Sequence, residues 1–265
     1  MIKNKALWLS LVCVVALELF VVLNGCRQAF ADTGGTLWTL DQFYFNAGPV
    51  VGLFIALTLG LFQGTEYSDG TLRNKLMVGH TRQRVYLVKL LMGVLVACLF
   101  TAAVFLAGLV GFPALGLWKM GMAGVARNFL ISLGFHIALT ALFTMVGMLS
   151  EKKSTTAVAV LLLFLAMSAL SLWLYGRLEE PEMSSGIILT AQGMQWAEPT
   201  PNPNYVGGFT RTVYRFLVEC LPTGQAFLMA SSDLGSPIVH LTASVVLTAV
   251  STLVGMTCFQ KKDLK

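Results

Sequence analysis

The chain has 265 residues, of which 56% are hydrophobic and only 12% are charged, and its formal net charge is +5. Its mean hydropathy of +0.74 is too high for a soluble domain. Several apolar runs reach the roughly 20 residues that a helix needs to cross a bilayer. The polar connections are too short to hold a folded soluble unit, so we expect one all-α membrane domain over residues 1–265.

Six apolar runs are predicted to span the membrane as helices, because lipid offers no partner for free backbone polar groups. Basic residues favour the cytoplasmic side of a membrane. With the N-terminus inside, 12 of the 18 Lys and Arg residues fall in inner segments. We therefore expect both termini in the cytoplasm, and basic charge that faces the membrane surface rather than nucleic acid. The predicted spans cover residues 6–23, 47–62, 86–112, 129–149, 155–175 and 238–259.

The first span begins after a basic start, which is also typical of a signal peptide. Its apolar run is longer than the core of a signal peptide, so we favour a retained helix. Glu18 lies inside this span, where a buried charge is costly unless it is paired or faces water. Glu18 is therefore a candidate to line a translocation pathway, bind a cation or hold a partner helix. A protonated glutamate packed in the bundle is the alternative.

The segment between the second and third spans, EYSDGTLRNKLMVGHTRQRVYLVKL at 66–90, concentrates charge that the rest of the chain avoids. We predict a short cytoplasmic helix over about 66–79. Ser68 or Asp69 is placed to cap its start, and Gly79 can end it in a left-handed conformation. A basic loop would explain the Arg and Lys residues of this segment but not its acidic residues, Glu66 and Asp69. A capped helix with acidic residues favours docking on a soluble partner.

This predicted helix has an apolar face and a basic C-terminal end. Leu72 and Leu76 are four residues apart and share one face, while Arg73 and Lys75 lie toward the C-terminal end, where positive charge suits the helix dipole. Thr81 is placed to cap the third span. The basic residues with which that span enters the membrane are Arg82, Arg84 and Lys89.

The longest polar connection, residues 176–237, lies outside in this orientation. Residues 177–208 are rich in Pro, Gly and Asn and are predicted to form an irregular loop. Residues 209–232 are more apolar and are broken by Pro222 and Gly224. They predict two short helices at the outer interface or partly within it.

Neither cysteines nor histidines indicate a catalytic or metal site. Cys26 and Cys220 are both predicted outside, where a disulfide is chemically feasible, although sequence does not give their distance. The three histidines lack the spacing of metal ligands. We predict that His136, inside the fourth span, is a hydrogen-bonding residue of helix packing.

Residues 66–90 resemble the cytoplasmic segment of ABC-2 type transporter permeases. That pattern is an acidic residue, then Gly-Thr-Leu or similar, a basic residue, and an Arg and a Lys entering the third span. The six-span layout is similar too, as is LPTGQA at 221–226 before the last span. The residues that carry the pattern are Glu66, Gly70, Thr71, Leu72, Arg73, Arg82 and Lys89.

The resemblance implies that this chain is the permease domain of an exporter in a bacterial-type plasma membrane. Residues 66–79 would then be the coupling helix, which docks on a separate ABC ATPase subunit. Two permease subunits, identical or homologous, and two ATPases would make the working unit. The docking residues implied by the resemblance are Glu66, Asp69, Gly70, Thr71, Leu72, Arg73, Lys75, Leu76 and Gly79.

The chain contains no G-x-x-x-x-G-K-[ST] phosphate loop, so we expect ATP and Mg to bind the partner ATPase. For this chain we expect no enzymatic activity, no cofactor, no metal and no nucleic acid. A non-transporting sensor or scaffold subunit fits the spans and loop charges equally well. An ion-coupled secondary transporter fits less well, because such proteins often show an internal repeat and several membrane carboxylates.

Overall fold

The computed structural model describes residues 5–31, 39–40, 43, 45–115, 119–150, 152–184, 187–190, 193–196, 198–231 and 234–262. Six of its helices are long and apolar enough to cross a membrane. The all-α, multi-pass membrane architecture expected from the sequence is thereby confirmed. The spanning helices are α1 (Lys5–Ala31), α2 (Gly48–Ser68), α4 (Arg82–Gly108), α6 (Gly121–Leu149), α7 (Lys153–Glu179) and α10 (Pro237–Lys261).

Shorter elements connect these spans. A 3-10 turn, Leu109–Gly111, continues α4 into a further helical turn, so that this span extends from Arg82 to Leu115. Counted with this extension, each span is longer than predicted, because hydropathy detects the part that can sit in lipid while backbone hydrogen bonding continues into polar sequence. The remaining short helices are α3 (Thr71–Met77), α5 (Phe112–Leu115), α8 (Gly208–Cys220) and α9 (Pro222–Ala230).

The core lies around α6, which packs against α2, α4 and α10 and is the most buried of the six spans. Large apolar side chains from these helices fill the space between them. Ile55 from α2, Phe100 from α4 and Phe143 from α6 are all fully buried in one cluster. His136 is buried there too: its Nε2 donates to the Gly48 carbonyl at 3.1 Å, so it is a hydrogen-bonding residue of helix packing, as predicted.

The backbones of α2 and α7 approach each other closely. Glycines spaced four apart on α2 face the α7 backbone. A Cβ at Gly64 would lie 2.7 Å from the carbonyl oxygen of Lys153, and a Cβ at Gly60 would lie 3.1 Å from the Cα of Ala157. Small residues let helices in lipid approach closely enough for extensive van der Waals contact. The sequence pattern GLFQG at 60–64 therefore defines this interface.

The prediction of an irregular loop over 177–208 is wrong in part. Helix α7 continues to Glu179, and two antiparallel strand pairs follow it. Strand β1 (Met183–Ser184) pairs with β4 (Thr200–Pro201), and β2 (Ile187–Thr190) pairs with β3 (Gly193–Trp196). The IILT sequence of β2 has high β-propensity, which the surrounding Pro, Gly and Asn residues obscured.

Helix α9 is buried inside the bundle although it is not one of the spans, and its polar side chains are satisfied there. The hydroxyl of Thr223 lies 2.7 Å from that of Ser171 and donates to the Met167 carbonyl at 3.0 Å. Gln225 is fully buried and bridges neighbouring elements. Its partners are the carbonyls of Glu219 (2.8 Å) and His240 (3.2 Å) and the hydroxyl of Ser244 (3.0 Å).

We predict that Gln225→Leu lowers the free energy of unfolding by about 2 kcal/mol, because buried partners lose their hydrogen bonds. The measurement is the melting temperature of the detergent-purified protein. Gln260→Leu is the matched control, since the side chain of Gln260 is exposed near the end of α10. Equal melting temperatures for the two variants would contradict a stabilising role of Gln225.

Candidate functional site

Five helices contribute to one polar end of the bundle, here named the basic end. It contains the last turn of α2, all of α3, the first turns of α4, and the last turns of α6 and α10. Contacts between residues that are distant in sequence hold these parts together. The cations gathered there include Arg73, Lys75, Arg82, Arg84, Lys89 and Lys262.

Helix α3 is a separate short helix set off by two glycines in left-handed conformation, Gly70 at φ 66° and Gly79 at φ 98°. The predicted range of 66–79 is too long, because Gly70 breaks the helix and leaves Glu66 at the end of α2. The predicted cap is also wrong: Gly70 is the N-cap residue and no side chain caps α3. The left-handed φ turns the chain sharply, which removes Ser68 and Asp69 from the capping position.

One face of α3 is anchored in an apolar cluster. Leu72 is only 2% exposed, and Leu76 packs against the same cluster. The other members come from three spans: Val85 and Tyr86 of α4, Met148 of α6 and Phe259 of α10. The shared face predicted for Leu72 and Leu76 therefore faces inward and fixes α3 to the bundle.

Charged groups make a second anchor, here named the Glu66 clamp and formed by Glu66, Lys75 and Lys89. The Glu66 carboxylate pairs with Lys75 Nζ at 3.2 Å and with Lys89 Nζ. Lys89 is 5% exposed and its ammonium lies 4.5 Å from the centre of the Phe62 ring. Because an unpaired buried charge is strongly unfavourable, Glu66 is needed to keep Lys89 charged in this place. The clamp joins α2, α3 and α4.

The start of α4 is tied to the end of α10 by Arg82. Its guanidinium Nη1 donates to the carbonyls of Phe259 at 3.1 Å and Gln260 at 2.9 Å, and to that of Lys262. The last carbonyls of a helix have no partner within the helix, and a cation there also complements the helix dipole. Arg82 thus has a specific structural role in joining α4 to α10.

Two residues that sequence reasoning did not single out complete the basic end. Lys262 donates to the carbonyls of Leu149 at 2.9 Å and Ser150 at 3.2 Å, at the end of α6. The Tyr67 hydroxyl donates to the carbonyl of Met148, and Lys262 Nζ lies 4.7 Å from the centre of the Tyr67 ring. Only the positive charge of Lys262 was visible in the sequence, because its partners lie more than a hundred residues away.

The opposite face of α3 is open. Arg73 and Asn74 are exposed, Met77 is 68% exposed, and Val78, the residue that follows the last turn, is 80% exposed. An exposed apolar pair beside basic side chains, held on a firmly anchored helix, has the chemistry of a contact surface for another protein. This face is named the outer face of α3.

Three other predicted residues lie away from the basic end. Glu18 lies midway along α1, is 1% exposed, and its carboxyl oxygens have no hydrogen-bond partner among the described residues. Cys26 and Cys220 carry free thiols, so the disulfide considered from the sequence is not formed in the structure. Burial and the neighbouring Glu219 raise the pKa of the Cys220 thiol, which keeps it in its less reactive protonated form. Within the described ranges, no group of His, Cys, Asp and Glu is arranged to hold a metal.

The fold and this end of the bundle define a multi-pass membrane protein with a firmly anchored short helix between two of its spans. No model of a known protein family matches the chain, and no curated protein matches it.

Proposed function

We propose that this chain is the membrane subunit of an ABC-2 type exporter, and that α3 is the coupling helix on which a separate ATPase subunit docks. The main support for the proposal is that α3 has one exposed face while its other face is anchored to the bundle. The anchors are Leu72 and the Glu66 clamp. In this arrangement the basic end lies in the cytoplasm, with both termini, and the membrane is a bacterial-type plasma membrane.

The anchors of α3 give it a mechanical connection to the spans. The Glu66 clamp joins it to α2 and α4, and Arg82 and Lys262 extend that connection to α10 and α6. A displacement of α3 by closure of the ATPase pair would be passed to four spans through salt bridges and helix-end hydrogen bonds. Two such subunits, moved together, would alternate the access of a pathway across the membrane.

The outer face of α3 has the composition of a docking surface. Met77 and Val78 provide apolar anchors that a groove on the ATPase would bury, and Arg73 provides a charged rim contact. Short amphipathic helices commonly bind in such grooves. The energy of such contacts is concentrated in a few well-buried side chains, while a like charge placed at the rim opposes association.

The test is the charge reversal Arg73→Glu, with Lys152→Glu as the matched control. Both residues are exposed and basic, and Lys152 precedes α7, outside α3. We expect Arg73→Glu to weaken co-purification of the ATPase about tenfold, the equivalent of about 1.4 kcal/mol. Lys152→Glu should leave it unchanged. The measurements are the amount of a phosphate-loop ATPase that co-purifies with the tagged chain, and the ATP hydrolysis of the complex.

A second variant tests coupling rather than binding. Proline at position 70 fixes φ near −65°, whereas Gly70 has φ 66°, so Gly70→Pro should displace α3 while the spans remain intact. We expect normal membrane insertion, with ATP hydrolysis no longer linked to transport. Wild-type co-purification together with full transport in both Gly70→Pro and Arg73→Glu would refute the proposal.

A further inference from the structure

A cavity of about 490 Å³ lies beside the Glu66 clamp, where α3 faces the start of α4. That volume is in the range of small-molecule sites, about 300–1,000 Å³. Most of its lining residues are basic, and two valines and the hydrocarbon stems of the basic side chains give it a largely apolar surface. The lining residues are Lys75, His80, Arg84, Val85, Val88 and Lys89.

The cavity has an excess of positive charge. Lys75, Arg84 and Lys89 are cations, and within the described part of the chain only Glu66 forms salt bridges with any of them. The guanidinium of Arg84 is exposed and forms no ion pair with a described residue. Three cations and one carboxylate leave an excess of two positive charges, which favours an anionic ligand, and a planar guanidinium suits the two oxygens of a phosphate group.

An apolar stripe begins in the same cavity and continues along α4. Val88 lines the cavity and is 56% exposed, and Leu91 and Leu95 are 59% and 55% exposed. These residues follow Arg84 at helical spacing, so they lie on one face of α4 with the guanidinium at one end. A soluble anion would use only the basic part of this surface. A molecule with a phosphate and long hydrocarbon chains would use both parts.

We propose that this cavity and stripe, made of the lining residues above with Leu91 and Leu95, bind an anionic phospholipid. Its phosphate lies against Arg84, His80 and Lys75, and its acyl chains lie along Val88, Leu91 and Leu95. Basic pockets between spanning helices on the cytoplasmic side are suited to anionic headgroups. A zwitterionic headgroup carries its own cation, which the positive excess disfavours. The proposal does not rest on coupling to an ATPase, since it needs only the membrane spans and the basic end.

The experiment is native mass spectrometry on the delipidated full chain in detergent. The protein is titrated with phosphatidylglycerol and with phosphatidylcholine of identical acyl chains. We expect phosphatidylglycerol to bind about tenfold more tightly, and Arg84→Gln to weaken it about tenfold, as loss of a charge-assisted contact would. The matched control is Arg73→Gln, which removes an exposed charge from the same end outside the cavity and should change binding by less than about twofold.

A second arm distinguishes a lipid from a free phosphate. Glycerol 3-phosphate in large excess should fail to displace phosphatidylglycerol, because it cannot contact the apolar stripe. Displacement by glycerol 3-phosphate would overturn the lipid assignment in favour of a soluble anion. Equal binding of the two phospholipids would also overturn the proposal, because it would mean that the site does not select an anionic headgroup. Equal losses of affinity in Arg84→Gln and Arg73→Gln would overturn it as well, because they would mean that binding does not depend on this cavity. A melting curve of Arg84→Gln checks that the exposed substitution leaves the fold intact.

Discussion

Replacement of Glu66 by Gln is expected to lower the free energy of unfolding by about 3 kcal/mol, as removal of one partner of a buried ion pair does. The reason is Lys89, which is 5% exposed beside the Phe62 ring and loses its counter-ion, so that both an unpaired charge and the loss of its proton cost free energy. The measurement is thermal unfolding of the detergent-purified protein. The variant should also loosen α3, which then stays anchored to the spans through the apolar cluster around Leu72.

Two further variants separate the effect of a buried partner from that of a partner in contact with water. Glu219→Gln removes the same charge from a pair with Arg215, four residues away on α8, where the N–O distance is 2.8 Å. Arg215 is 32% exposed and stays hydrated after the change, so this control should lose much less stability than Glu66→Gln. The double variant Glu66→Gln/Lys89→Met should be more stable than Glu66→Gln alone, because no unpaired buried charge remains. Equal losses in Glu66→Gln and Glu219→Gln would contradict the clamp.

Replacement of Gly64 by Leu is expected to destabilise the protein by about 3 kcal/mol, at the upper end of the usual cost of overpacking. A Cβ at this position would lie 2.7 Å from the carbonyl oxygen and 2.8 Å from the Cα of Lys153. Both atoms belong to the backbone, so no side chain can rotate away and α2 must separate from α7. Thermal unfolding in detergent measures the loss.

The chain provides a matched control for Gly64. Gly176 lies in α7, and a Cβ there would have no neighbour within 4 Å. Leu has a higher helix propensity than Gly by roughly 0.5–1 kcal/mol, so Gly176→Leu should melt at or slightly above the wild-type temperature. If Gly64→Leu behaved like Gly176→Leu, the close approach of α2 and α7 would not be a source of stability.

The residues of the candidate site were predictable, but their pairing was not. The charge and glycine pattern of 66–90 singled out Glu66, Lys75 and Lys89, and it marked Gly79 as the end of a short helix. It also assigned a capping role to Asp69 that the left-handed Gly70 prevents. Capping depends on where a helix begins, and the sequence alone left that position uncertain by several residues. Tyr67 and Lys262 carried no local signal, because their partners are distant in the sequence.

The sequence by itself determined the features that depend on local chemistry. Runs of apolar residues define the six spans, because the free-energy cost of placing polar groups in lipid is a sum of contributions from individual residues. Glycines mark the breaks around α3, because only a residue without a Cβ adopts a positive φ at little cost.

The tertiary structure alone decided the features that depend on distance between remote residues. It placed Lys89 against Glu66, Arg82 on the last carbonyls of α10, and the glycines of α2 against the α7 backbone. It also buried α9, which the sequence predicted at the outer interface or partly within it. Each of these outcomes follows from how the helices pack, and a hydrogen bond or close contact forms only when packing brings its two partners within a few ångströms.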